Sequence, residues 1–122
     1  MAKVLIVDDD PATVELLAMA VRLKQHEPIL AYNGIEAVRI VEDSPPDIIL
    51  LDLMMPVMDG LETLALIREK NSMDSLPVLL VTASPEAYLD QKVLEAGGNG
   101  CLRKPVSMDF LGDAIARALD RL

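Results

Sequence analysis

Short apolar runs rich in branched residues alternate along this chain with stretches whose apolar positions recur at helical spacing. KVLIV at Lys3–Val7 reads as a strand. Asp10 and Pro11 then supply a helix cap and a first-turn proline, and Val14, Leu17, Ala18 and Val21 follow on one helical face. Residues 28–32 give a weaker second strand. A helix over 34–43 follows, with Ala37, Ile40 and Val41 inward, and Pro45-Pro46 ends it. DIILL over 47–51 reads as a buried central strand, because nearly every residue is apolar and no alternation shows. The loop MMPVMDG leads into a helix over 61–70, and PVLLV over 77–81 is the fourth strand. Ser84-Pro85 is expected to cap a helix that stops near Gly97, where glycine adopts the left-handed conformation at low cost. A short strand at Gly100–Arg103 comes next. The last helix is expected to start at Ser107, with Leu111, Ile115, Ala118, Leu119 and Leu122 on one stripe.

Five strands alternating with five helices imply an α/β fold with a parallel sheet covered on both faces. Right-handed crossovers favour a doubly wound, flavodoxin-like sheet in the order 2-1-3-4-5. Ligands in such sheets bind beyond the carboxyl ends of the strands, where the strand order reverses. Chemistry-bearing residues do stand there: Asp8 and Asp9 after the first strand, Asp52 after the third, Thr82 after the fourth and Lys104 after the fifth. Taken singly, each of Asp8, Asp9 and Thr82 reads equally as a cap or turn residue, and Lys104 as an exposed lysine. Together they describe a crevice. Three carboxylates crowded there repel one another unless positive charge lies between them. Lys104 supplies one charge, and a hard divalent cation such as magnesium, which prefers oxygen ligands, supplies two more. Cation, carboxylate, hydroxyl and lysine together suit phosphoryl transfer, with Asp52 as the nucleophile.

Composition narrows the partners. With 122 residues, 52% hydrophobic, the chain suffices for one domain and is too short for two. Its net charge of −9, with no stretch rich in Lys and Arg, argues against direct nucleic-acid binding. Tyr32, Tyr88 and Phe110 are too few aromatics to stack on bases. The longest apolar run, DIILLDLMM, is interrupted by Asp52 and falls short of the roughly 20 residues a membrane span needs. A lone cysteine, Cys101, forms no internal disulfide, and MAKVLIVDDD lacks the features of a signal peptide, so a cytoplasmic setting is expected.

IVDDDP, LLDLMMPVMDG, VTAS and CLRKP, in this order and spacing, resemble the receiver domains of two-component signalling, of the chemotaxis-regulator type. The likeness covers essentially the whole chain, read here as one receiver domain over 1–122. It implies that Asp8 and Asp9 hold magnesium, or manganese in its place, directly or through water. It implies that Asp52 also ligates the metal and accepts a phosphoryl group from a histidine kinase or phosphotransfer protein. The backbone carbonyl of Met54 is a further ligand by this resemblance, Thr82 contributes the hydroxyl that moves onto the phosphoryl group, and Lys104 pairs with it. The peptide before Pro105 is expected to be cis. Met54 and Ser84 match positions that tune attack by water on the aspartyl phosphate. The resemblance further implies a phosphoacceptor switch rather than an enzyme, acting on a downstream protein or effector domain through the last two helices and the strand between them, with a homodimer as another outcome.

One position departs from the pattern. Receivers carry an aromatic residue three places before the lysine, and this chain has Cys101. A thiol cannot reproduce the bulk of a ring that turns inward, so either the loop after Thr82 carries the coupling or the switch is weak. The plain reading of Cys101 is a small, half-buried apolar residue, since a reactive thiol needs a depressed pKa and access. The substitution also leaves room for a degenerate receiver that only binds partners. His26 has no motif around it and is expected at the surface. Asp8-x-Asp10 imitates the opening of a haloacid dehalogenase phosphohydrolase, but Ala12 stands where that motif has Thr or Val, and no acidic motif follows Lys104.

Overall fold

The computed structural model describes residues 1–71 and 75–120. Five strands, β1 (Lys3–Val7), β2 (Glu27–Ala31), β3 (Ile48–Asp52), β4 (Val78–Thr82) and β5 (Gly100–Arg103), form one sheet in the order β2-β1-β3-β4-β5. All four pairings are parallel. The helices are α1 (Pro11–Leu23), α2 (Gly34–Asp43), α3 (Gly60–Asn71), α4 (Tyr88–Glu95) and α5 (Met108–Asp120). The doubly wound arrangement expected from the alternation is the one observed.

Alternate strand residues serve two separate cores. Leu5, Ile49, Leu51 and Leu80 pack under α2, α3 and α4, against Val41, Leu64, Ile67 and Val93. Val4, Ile6, Ile48 and Leu50 pack on the other face, under α1 and α5, against Val14, Val21, Leu111 and Ile115. Every residue of β3 and β4 is buried, as strands sandwiched between two helical layers must be. Each fully buried leucine or isoleucine contributes roughly 1.5–3 kcal/mol, so the centre of the sheet supplies much of the stabilisation.

Local chemistry accounts for most element ends. The Asp10 carboxylate accepts from the Ala12 amide (3.2 Å) and the Thr13 hydroxyl (2.7 Å), capping α1 as expected. Ser107 Oγ accepts from the Phe110 amide (3.1 Å), so Ser107 caps α5 and the helix proper begins at Met108. Leu122 lies outside the described residues. Gly97 ends α4 at φ +98°, with the Gly98 amide donating to the Val93 carbonyl (2.8 Å) and the Gly97 amide to the Leu94 carbonyl (3.1 Å).

Three expectations need correction. Ser84 does not cap α4. Its amide donates to Thr82 Oγ1 (3.1 Å) and its Oγ accepts from Glu86 (3.4 Å), which makes a turn, and α4 starts four residues later behind Ala87 with no side-chain cap. Strands β3 and β4 run one residue further than the apolar runs suggest, because Asp52 pairs with Val81 and Thr82 with Arg103 in the ladder. His26 is half-buried rather than simply exposed, and its Nδ1 accepts from the Ala2 amide (3.0 Å), anchoring the start of β1.

Gly97→Ala is expected to lower stability by about 1–2 kcal/mol, the cost of a left-handed L-residue, measured by urea unfolding with the slope unchanged.

Candidate functional site

The first and third strands, neighbours at the point where strand order reverses, deliver two acidic residues to one edge of the sheet. Asp8 follows the last residue of β1 and is 1% exposed; Asp52 ends β3 and is 4% exposed. Asp9 is exposed beside them. One carboxylate oxygen from each of the three lies within 4.8 Å of the others. Lys104, just beyond β5, reaches into this cluster. Its ammonium donates to Asp8 Oδ2 (2.8 Å) and to Asp52 Oδ1 (3.3 Å).

Backbone geometry holds these groups in place. The Asp10 amide donates to Asp8 Oδ1 (2.9 Å), so the turn that starts α1 also orients the Asp8 carboxylate. The second aspartate of the DxD imitation is therefore committed to the helix cap. Thr13 and Ala12 hold its carboxyl below the ordinary value, as capping hydrogen bonds do. The Met54 amide turns toward Asp52 Oδ1 (3.4 Å) while the Met54 side chain projects outward. Thr82 is fully buried one register position beyond Val81, the residue that faces Asp52. The Lys104 amide donates to the Thr82 carbonyl (2.8 Å), which ties the lysine to the end of β4, and the Lys104-Pro105 peptide is cis.

The electrostatics follow from crowding. Burial, and then the neighbouring Asp8 charge, push Asp52 up to about 6, and Lys104 offsets this only in part. Burial disfavours the Lys104 ammonium, but its hydrogen bond to Asp8 and the charges of Asp52 and Asp8 outweigh that and raise its pKa. Burial likewise pushes the Cys101 thiol up, so this cysteine is a protonated, half-buried apolar group rather than a reactive thiolate. Hard oxygen donors converging on one spot, with residual repulsion that one lysine does not cancel, fit a divalent cation.

Sequence reading missed the loop that supports Asp52. A Cβ on Gly60 would sit 2.5 Å from the Asp52 carbonyl oxygen and 2.7 Å from Leu53 Cα, and the Gly60 amide donates to the Leu53 carbonyl (2.9 Å). Only glycine lets α3 begin this close to the backbone of Asp52. The run Asp59-Gly-Leu-Glu62 carried the signal. It is a reciprocal capping box, in which Asp59 Oδ1 accepts from the Glu62 amide (2.9 Å) and Glu62 Oε1 accepts from the Asp59 amide (3.1 Å). Before it, Val57 at φ 70° sits inside a three-residue turn closed from the Met58 amide to the Pro56 carbonyl (2.8 Å).

The family model of the response regulator receiver domain matches residues 4–116. The chain belongs to this family. Response regulators MprA of Mycobacterium sp. (strain KMS) and of Mycobacterium ulcerans (strain Agy99) are each 35% identical to it over 109 residues, covering 89% of this receiver and 46% of their own length. The receiver thus spans about half the length of these curated relatives. Vibrio cholerae chemotaxis protein CheY4 superposes with a TM-score of 0.92 at 29% identity, covering 98% of this receiver and 99% of that protein. The Francisella response regulator 1452 receiver domain gives 0.90 at 27% identity over 99% and 98%. This receiver is accordingly a signalling module of two-component systems.

Two outcomes follow for the site. Between the ordinary value of 3.8 and about 6, the folded state holds a proton on Asp52 that the unfolded state has released. Stability therefore falls as pH rises through that window and levels off above it. In magnesium-free buffer, Asp52→Asn should match the wild type near pH 4 and exceed it by on the order of 2–3 kcal/mol at pH 7, read by urea unfolding. Gly60→Ala should shift the amide resonances of residues 52–54 and cost roughly 1–3 kcal/mol, since backbone rather than a flexible side chain must move.

Proposed function

We propose that this receiver is a magnesium-dependent phosphoacceptor switch over residues 1–122, with Asp52 as the acceptor. The observation that carries the reading is the Lys104 ammonium bridging two buried carboxylates, Asp8 and Asp52, with Asp9 beside them. A carboxylate nucleophile, a cation already at its oxygen and a buried hydroxyl one residue further along the neighbouring strand are the parts that phosphoryl transfer requires.

Asp8, Asp9, Asp52 and the Met54 carbonyl would hold magnesium, or manganese in its place, which would supply two positive charges against the transferring oxygens. An Asp52 oxygen attacks the phosphorus of a phosphohistidine on a kinase or phosphotransfer protein. The P–N bond breaks, the imidazole leaves and takes up a proton, and an acyl phosphate forms on Asp52. At neutral pH, Asp52 is mostly ionised despite its raised pKa and is ready as a nucleophile. Lys104 exchanges part of its hold on Asp8 for a phosphoryl oxygen. Thr82 rotates its hydroxyl toward another, giving up its contact with the Ser84 amide. The loop beyond β4 moves with it and alters the face formed by α4, β5 and α5.

Phosphorylation adds roughly −1.5 to −2 charges, and the altered face biases a pre-existing equilibrium toward the form that a downstream protein, an attached effector domain or a second copy recognises. The cytoplasm is the setting this reading expects. No helix among the described residues is long and apolar enough to cross a membrane.

Incubation with acetyl phosphate and magnesium should add one phosphoryl group by intact mass, absent with EDTA and absent in Asp52→Asn. Thr82→Ala should keep the uptake and lose most of the change at α4–β5–α5, read by amide chemical shifts. Equal uptake in Asp52→Asn would sink the assignment.

A further inference from the structure

The connection that leaves Thr82 is held weakly by its own residues. Ala87, at the N-cap of α4, makes no side-chain capping bond, and the turn bonds from the Glu86, Leu89 and Asp90 amides are 3.3–3.4 Å long. One side chain from the sheet compensates. Arg103 is the β5 residue in register with Thr82. Its Nη2 donates to the Glu86 carbonyl (2.9 Å) and to Asp90 Oδ2 (3.1 Å), and its Nη1 lies against Cys101 Sγ. The small thiol at position 101 gives the guanidinium room to lie along the strand, where a ring would displace it. The planar fork of arginine suits this double hold on a carbonyl and a carboxylate better than a lysine would.

We infer that Arg103 is a positioning residue that latches the segment between Thr82 and α4 onto β5 and so biases this receiver toward its unphosphorylated form. Movement of Thr82 toward a phosphoryl group carries the Glu86 carbonyl away from the guanidinium and breaks the latch. The contact therefore opposes activation and is released by it. The coupling at the end of β5 is electrostatic in this chain, where its relatives by motif use the bulk of a ring. This rests on Asp52 being the phosphoacceptor.

The test compares wild type, Arg103→Ala, Arg103→Lys and Asp90→Ala for beryllofluoride affinity in magnesium and for amide hydrogen exchange of residues 83–95 without it. Removing the latch raises the population of the competent form, so Arg103→Ala should bind beryllofluoride about three- to tenfold more tightly. Lysine and Asp90→Ala should fall in between. Exchange across 83–95 should be faster in Arg103→Ala while the thermal midpoint stays close to that of the wild type. Simple structural damage would weaken binding instead, so unchanged or weaker affinity in a folded Arg103→Ala overturns the latch. If the wild type binds no beryllofluoride, the phosphoacceptor reading fails. The bias then falls with it, and faster exchange in Arg103→Ala upholds only the contact that holds residues 83–95 to β5.

Discussion

The ammonium of Lys104 between the carboxylates of Asp8 and Asp52 is the interaction around which the molecule is arranged. Burial makes Asp52 resist ionisation, and the neighbouring Asp8 charge adds to that cost. The lysine relieves part of it and leaves the rest, which is why Asp52 remains elevated. That residual repulsion among oxygen donors suits a site that could hold a cation. The dry, two-sided sheet beneath makes it possible, since β3 must be buried along its whole length for its last residue to be both rigid and desolvated.

The same economy appears in how the site is supported. The cap of α1 does two things at once, closing the helix with the Asp10 side chain and orienting Asp8 with the Asp10 amide. On the far side, Gly60 lets α3 start against the backbone of Asp52, behind a capping box that fixes where the helix begins. Both devices tie a helix start to an acidic residue of the site, so the rigid elements and the acidic cluster are positioned together.

The β4–α4 connection is built on a different principle. Thr82 is buried and bonded to the loop that follows it, while α4 begins without a cap. A firm anchor followed by a loosely held segment is the arrangement expected where motion at one end must be passed to the other. Cys101, where this chain leaves the pattern of its relatives by motif, lies beside Arg103 on β5, and Arg103 reaches across to that segment.

Much of this was legible in the chain itself. The alternation of branched apolar runs with helical stripes, the caps at Asp10 and Ser107 and the stop at Gly97 are local, governed by residues a few positions apart. The placement of acids, hydroxyl and lysine after successive strands was visible for the same reason, given the topology that parallel strands impose. Other features depended on contacts across many positions. His26 meets Ala2, Gly60 fits against Asp52, and Arg103 crosses to Glu86. Even the last residues of β3 and β4 were set by ladder partners on other strands. The sequence by itself determined which elements form and which chemistry they carry, because short-range hydrogen bonding and periodic burial decide those. Only the tertiary structure decided which oxygens Lys104 bridges and which segment Arg103 holds, because both choices are made by groups brought together from distant parts of the chain.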